Sequence, residues 1–88
     1  MERTVTVVPE DGLHARPAAK FVETANEYDA DVRVAADGDD PVDAASMLAV
    51  TSLGVASGDD VTIVAEGEEA EAALDALEEL LSTPETEA

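Results

Sequence analysis

Polar and apolar residues alternate from the start of the chain. Thr4 and Thr6 stand against Val5 and Val7, the period-two pattern of a half-buried strand, expected over residues 2–8. Pro9-Glu10-Asp11-Gly12 breaks the alternation. Ala18, Phe21, Val22, Ala25 and Tyr28 then recur at three- and four-residue steps, which predicts a helix from about Arg16 to Glu27. Period two returns with Val32, Val34 and Ala36 on one face and Arg33 and Ala35 on the other. Asp37-Gly38 carries a tight-turn signal, after which a short strand around Val42 returns as a hairpin. Ser46 in front and Gly54 behind bracket a short second helix from Met47 to Leu53. Ser57-Gly58-Asp59-Asp60 reads as a turn. Val61, Ile63 and Ala65 form the inward row of a fourth strand, with Thr62 facing out. From Glu68 the period lengthens once more: Ala70, Ala73, Leu74, Leu77, Leu80 and Leu81 share one helical face, so a third helix ends near Leu81. Residues 82–88, acidic and interrupted by Pro84, are expected to fray.

The order strand, helix, strand, strand, helix, strand, helix fits an α+β fold. One four-stranded antiparallel sheet would be covered on one face by three helices, in a single domain over residues 1–88. No internal repeat or low-complexity linker divides the chain. It has no cysteine, which fits a reducing compartment. Met1-Glu2-Arg3-Thr4 resembles neither a signal nor a transit peptide, and no apolar run reaches the ~18 residues of a membrane span. The expectation is a soluble cytoplasmic protein without membrane insertion.

Charge changes this picture. Twenty-two Asp and Glu against four Lys and Arg give a net charge of −18, which argues against a nucleic-acid partner. Acid-rich chains can be disordered, but 45% hydrophobic residues in clear periodic order argue for a packed core. Acids spread along the whole chain, with Lys20 as the single lysine, read as the surface of a halophile's protein. At molar salt the Debye length is about 3 Å, so self-repulsion is screened. The plainer alternative is an acidic mesophilic protein. One histidine, no cysteine and carboxylates without calcium-loop spacing leave no metal centre, and no cofactor is expected.

The candidate chemistry lies in Gly12-Leu13-His14-Ala15-Arg16-Pro17-Ala18-Ala19. His14 is the only histidine, and it falls just before a helix that Pro17 helps to start. A helix start has backbone N–H groups without intrahelical partners and a partial positive charge, so it favours anions. Ala15 is the expected cap position, where it offers no side-chain oxygen to those donors. Neutral imidazole is a nitrogen nucleophile near pH 7, and the guanidinium of Arg16 matches phosphate oxygens. These parts suit a phosphoryl group; the plainer reading of His14 is a turn residue.

The same eight residues resemble the active-site signature of HPr, the histidine-containing phosphocarrier family of the phosphoenolpyruvate-dependent sugar phosphotransferase system. Ser46-Met47-Leu48-Ala49-Val50-Thr51-Ser52-Leu53-Gly54-Val55 is similar to that family's regulatory-serine segment, and the element order matches its open-faced β-sandwich. The resemblance implies a phosphocarrier, modified stoichiometrically, rather than an enzyme. It implies that His14 takes a phosphoryl group from phospho-enzyme I and passes it to a IIA component, with Arg16 stabilising the group. It also implies that Ser46 is a candidate phosphoserine and that Met47, Leu48 and Lys20 meet the partners of a monomeric carrier. Of Met47 and Leu48, Met47 is expected to be the exposed one and the other core, and the plainer reading of Lys20 is a solvated lysine. The family's usual basic residue before the serine is Ala45 here, and Ser46 reads equally well as a plain helix cap. The alternatives are a carrier in a dihydroxyacetone-kinase or regulatory branch, or a regulator acting through Ser46.

Overall fold

Val5, Val32, Val34, Val61, Ile63 and Ala65 are buried on one side of a four-stranded antiparallel sheet. The computed structural model describes residues 1–8, 12, 15–36 and 39–83; for Ala15 and Arg16 this means the backbone alone. The strands are β1 (Glu2–Thr6), β2 (Asp31–Ala36), β3 (Val42–Asp43) and β4 (Asp60–Glu66). They lie in the order β1-β4-β2-β3, so β1 and β3 form the edges and the last strand, β4, runs between β1 and β2. Three helices complete the order: α1 (Ala15–Glu27), α2 (Met47–Ser52) and α3 (Ala70–Ser82). The expected order of elements is the observed one.

The helices cover the apolar face of the sheet. Phe21 and Ala25 of α1, Val50 of α2, and Ala73, Leu74, Leu77 and Leu81 of α3 close the core over the valine rows. Phe21, the chain's single phenylalanine, is fully buried, and truncating it to alanine is expected to cost about 3–5 kcal/mol. The opposite face of the sheet carries Thr4, Thr62, Glu2 and Arg33, in register across the strands.

Several boundaries differ from the sequence pattern, each for a local reason. β1 stops at Thr6 rather than at residue 8, because the next two amides leave the ladder. Val7 N–H donates to the Asp59 carbonyl (2.8 Å) and Val8 N–H to the Leu81 carbonyl (2.8 Å), where α3 is ending. Ser82, expected in the frayed tail, is helical, and the Thr83 hydroxyl donates to the Glu79 carbonyl (2.7 Å). Ala35, expected on the outer face, is nevertheless buried. The hairpin of β2 and β3 forms, pairing Val34 with Val42; its turn signal at Asp37-Gly38 and the tail at 84–88 lie outside the described residues.

One ion cluster ties the edge strand to a helix. Arg3 Nη1 donates to Asp75 Oδ1 (2.6 Å) and Glu78 Oε1 (2.8 Å), on successive turns of α3. The Asp75 bond above all, and the Glu78 bond as well, raise the guanidinium's proton affinity against a partial loss of solvation.

Candidate functional site

The first described turn of α1 begins at Ala15, one residue earlier than expected, so alanine is the first helical residue rather than the cap. Arg16 and Pro17 follow in that turn. Pro17 is buried and gives up no hydrogen bond there, since a first-turn N–H has no partner within the helix. The turn contains no acidic residue. Lys20, one turn on, is exposed and forms no ion pair among the described residues. His14 and the side chain of Arg16 lie outside the described residues.

Gly12, two positions before His14, is set against the connection between α2 and β4. Its φ is +65°, and a β-carbon on it would lie 2.3 Å from the Val55 carbonyl oxygen and 2.7 Å from Ala56 Cα. Both facts call for glycine: the left-handed conformation and the absence of room. The sequence pattern gives Gly12 as the end of a strand-breaking turn and as the head of the eight-residue signature. The contact with residue 55 is long-range, and no local pattern announces it.

α2 is the other half of the face. Ser46 is its N-cap, in extended conformation, and its hydroxyl accepts a bond from Ala49 N–H (3.2 Å). Val50 is the residue that α2 buries. The expectation for its apolar pair is corrected here: neither Met47 nor Leu48 is core, and Leu48 is the more exposed, at 77% against 40% for Met47. On a helix that sends Val50 inward, the residue two positions earlier is turned about 200° away. Thr51 and Ser52 donate their hydroxyls back to carbonyls of the first turn, Thr51 to Met47 (2.9 Å) and Ser52 to Leu48 (2.6 Å).

A signal in the sequence could have found this face directly. The acids are not spread evenly. From Gly12 to Val22 there is no acid, only Arg16 and Lys20. From Ala44 to Gly58, fifteen consecutive residues carry no charged side chain at all. Helices α1 and α2 pack against each other, so the fold joins the two acid-poor stretches. On a chain of net charge −18 this is a window in the charge.

Among the described residues no three His, Cys, Asp or Glu side chains come together as a metal site, and no helix is long and apolar enough to cross a membrane.

Residues 1–83 match the family model described as the phosphotransferase-system HPr component phosphorylation site. The chain belongs to the HPr family. Among curated relatives, it is 74% identical over 86 residues to the phosphocarrier protein HPr of Haloferax volcanii, covering 97% of each chain. It is 44% identical over 81 residues to the HPr of Streptomyces coelicolor, covering 92% of this chain and 87% of that one. In three dimensions it resembles the crystal structure of HPr from Bacillus anthracis with a TM-score of 0.88, at 41% identity, covering 92% of this chain and 95% of the other. The four strands and three helices are thus the HPr fold. A relative from a haloarchaeon fits the halophilic reading of the acidic surface.

Proposed function

We propose that this HPr-family chain, as a single domain, is a cytoplasmic phosphocarrier whose accepting group is His14. The observation that carries the reading is the acid-free start of α1, where the sole histidine precedes a helix whose first-turn amides have no intrahelical partners. The nitrogen of neutral His14 attacks the phosphorus of a phosphohistidine on enzyme I. The donor's P–N bond breaks as the His14 P–N bond forms, so the group is stored at little change in bond type. The second transfer, to a histidine of a IIA component, reverses the roles.

Phosphoryl transfer asks a protein mainly for positioning and for stabilisation of charge on the equatorial oxygens. The helix start and Arg16 are the groups available to do this, and residues 12–22 add no acid of their own to oppose them. Docking then falls to the acid-poor face: Leu48 and Met47 supply apolar surface, and Lys20 a cation at the rim. Ser46, as cap of α2, stands beside that apolar pair, where a phosphoserine would oppose docking.

Incubation with phosphoenolpyruvate and the cognate enzyme I in molar potassium chloride tests the reading. The expected product is an acid-labile gain of one phosphoryl group on His14, absent from His14→Ala with an unchanged circular dichroism spectrum. Label on another residue would overturn the assignment.

A further inference from the structure

The turn that follows α2 does more than return the chain to β4. Ala56 and Asp59 bond each other twice: Asp59 N–H donates to the Ala56 carbonyl (3.0 Å), and Ala56 N–H donates to Asp59 Oδ2 (3.0 Å). Asp59 therefore closes the turn with main chain and side chain together. The closed turn grips two separate points on the connection between β1 and α1. At the exit of β1, Val7 N–H donates to the Asp59 carbonyl (2.8 Å), Gly58 N–H to the Val7 carbonyl (2.7 Å), and the Ser57 hydroxyl to the Val8 carbonyl (3.2 Å). At the far end, Gly12 lies against the Val55 carbonyl and Ala56 too closely for any β-carbon. Val55 itself is anchored in the core at 2% exposure.

This arrangement sets the backbone on both sides of residues 9–11 from one external surface. The second contact falls two residues before His14. Side-chain removal at Asp59 would leave the Ala56 amide without its bond and loosen the 55–56 wall on which Gly12 rests. The carboxylate is exposed and belongs to none of the phosphoryl-binding groups, so no part of the transfer chemistry explains its place.

We propose that Asp59 is a positioning residue for phosphoryl transfer, acting through the Ala56 amide and the Val55–Ala56 backbone on Gly12 and so on His14. This rests on His14 being the phosphoryl acceptor. A histidine displaced by a fraction of an ångström from the in-line approach loses rate steeply, because the gain from orientation is lost while docking is untouched. Asparagine at position 59 keeps an oxygen acceptor of the same reach; alanine does not.

The test uses the full chain in molar potassium chloride, with purified phospho-enzyme I as donor and the ring resonances of His14 as a second readout. The chain has one histidine, so those resonances are unambiguous. Asp59→Ala is expected to lower kcat for His14 phosphorylation by about tenfold or more at unchanged KM. It is also expected to shift the His14 ring signals. Asp59→Asn is expected to restore both. Gly12→Ala probes the same link from the other end, without touching the turn, and is expected to reproduce the kcat loss. Adding Asp59→Ala to it should cost little more, as for residues acting in series. An Asp59→Ala protein with wild-type kcat and an unchanged His14 spectrum overturns the proposal; so does a loss that is equally large in Asp59→Asn. If the wild-type chain takes no phosphoryl group on His14, the functional reading falls and the ring spectrum alone decides whether Asp59 positions that residue.

Discussion

Asp29 and Glu69 hold each other through two hydrogen bonds. Asp29 N–H donates to Glu69 Oε1 (2.7 Å), and Glu69 N–H donates to the Asp29 carbonyl (3.1 Å). The pair joins the turn after α1 to the residue that precedes α3. Gly67 makes the approach feasible, since a β-carbon there would stand 2.9 Å from the Asp29 carbonyl oxygen. Glu69→Ala should remove about 1 kcal/mol of stability, the net worth of a solvent-exposed hydrogen bond to a charged group reduced for screening. Glu69→Gln, which keeps an acceptor oxygen, should retain most of it. Urea unfolding of the three proteins at one salt concentration checks the ranking.

Arg16→Ala should slow phosphoryl transfer more than it weakens docking. Loss of one charge-stabilising donor from an active site typically raises the barrier by about 2–4 kcal/mol. Single-turnover kinetics separate the two steps. Weaker binding at an unchanged transfer rate would move Arg16 to the docking surface.

Leu48→Ala should raise the KM for phospho-enzyme I while leaving the melting temperature alone. At 77% exposure its side chain gives the folded chain little to lose. Because the contact is apolar, wild-type docking should hold or strengthen between dilute buffer and molar potassium chloride, whereas an interface made by Lys20 would weaken. Titration of the complex at several salt concentrations distinguishes the two.

The fold itself should need salt. With a net charge of −18 on a chain of 88 residues, carboxylate repulsion favours expansion at low ionic strength. Thermal unfolding followed by circular dichroism should show a melting temperature that climbs steeply from dilute buffer to molar potassium chloride. A flat profile would assign the acids another purpose.

Ser46→Asp should keep its thermal stability, because aspartate caps a helix as well as serine and can accept the Ala49 N–H. The added charge beside Leu48 and Met47 should slow phosphorylation by enzyme I at low salt, and molar potassium chloride should blunt the effect. Equal initial rates under both conditions would leave Ser46 as a cap alone.

The strands, helices and core were legible in the sequence because each rests on local periodicity. Val61, Ile63 and Ala65 alternate, and Ala73, Leu74, Leu77 and Leu81 follow the helical step; all seven are buried. The end of β1 was not legible, since Val7 and Val8 keep the strand pattern while their amides turn to Asp59 and Leu81, far along the chain. At the candidate site, His14, Arg16 and Ser46 stand out by residue type and neighbourhood. The order of Met47 and Leu48 does not, because on a six-residue helix either phase satisfies the pattern until Val50 is fixed inward. The roles of Gly12 and Asp59 depend on contacts between segments more than forty residues apart, which no window along the chain can reveal.

The fifteen uncharged residues from Ala44 to Gly58 also bear on how two acidic proteins find each other. A partner carrying the same sign of charge is turned away from most of this surface, and least from the side where α1 and α2 meet. Repulsion then acts as an orientation filter: it needs no complementary patch, only a gap. In dilute buffer, with a Debye length of tens of ångströms, that filter sorts approaches before contact; at molar salt it reaches only about 3 Å. Under the proposed docking, the choice of face is then made at the touch, by what Leu48 and its neighbours fit.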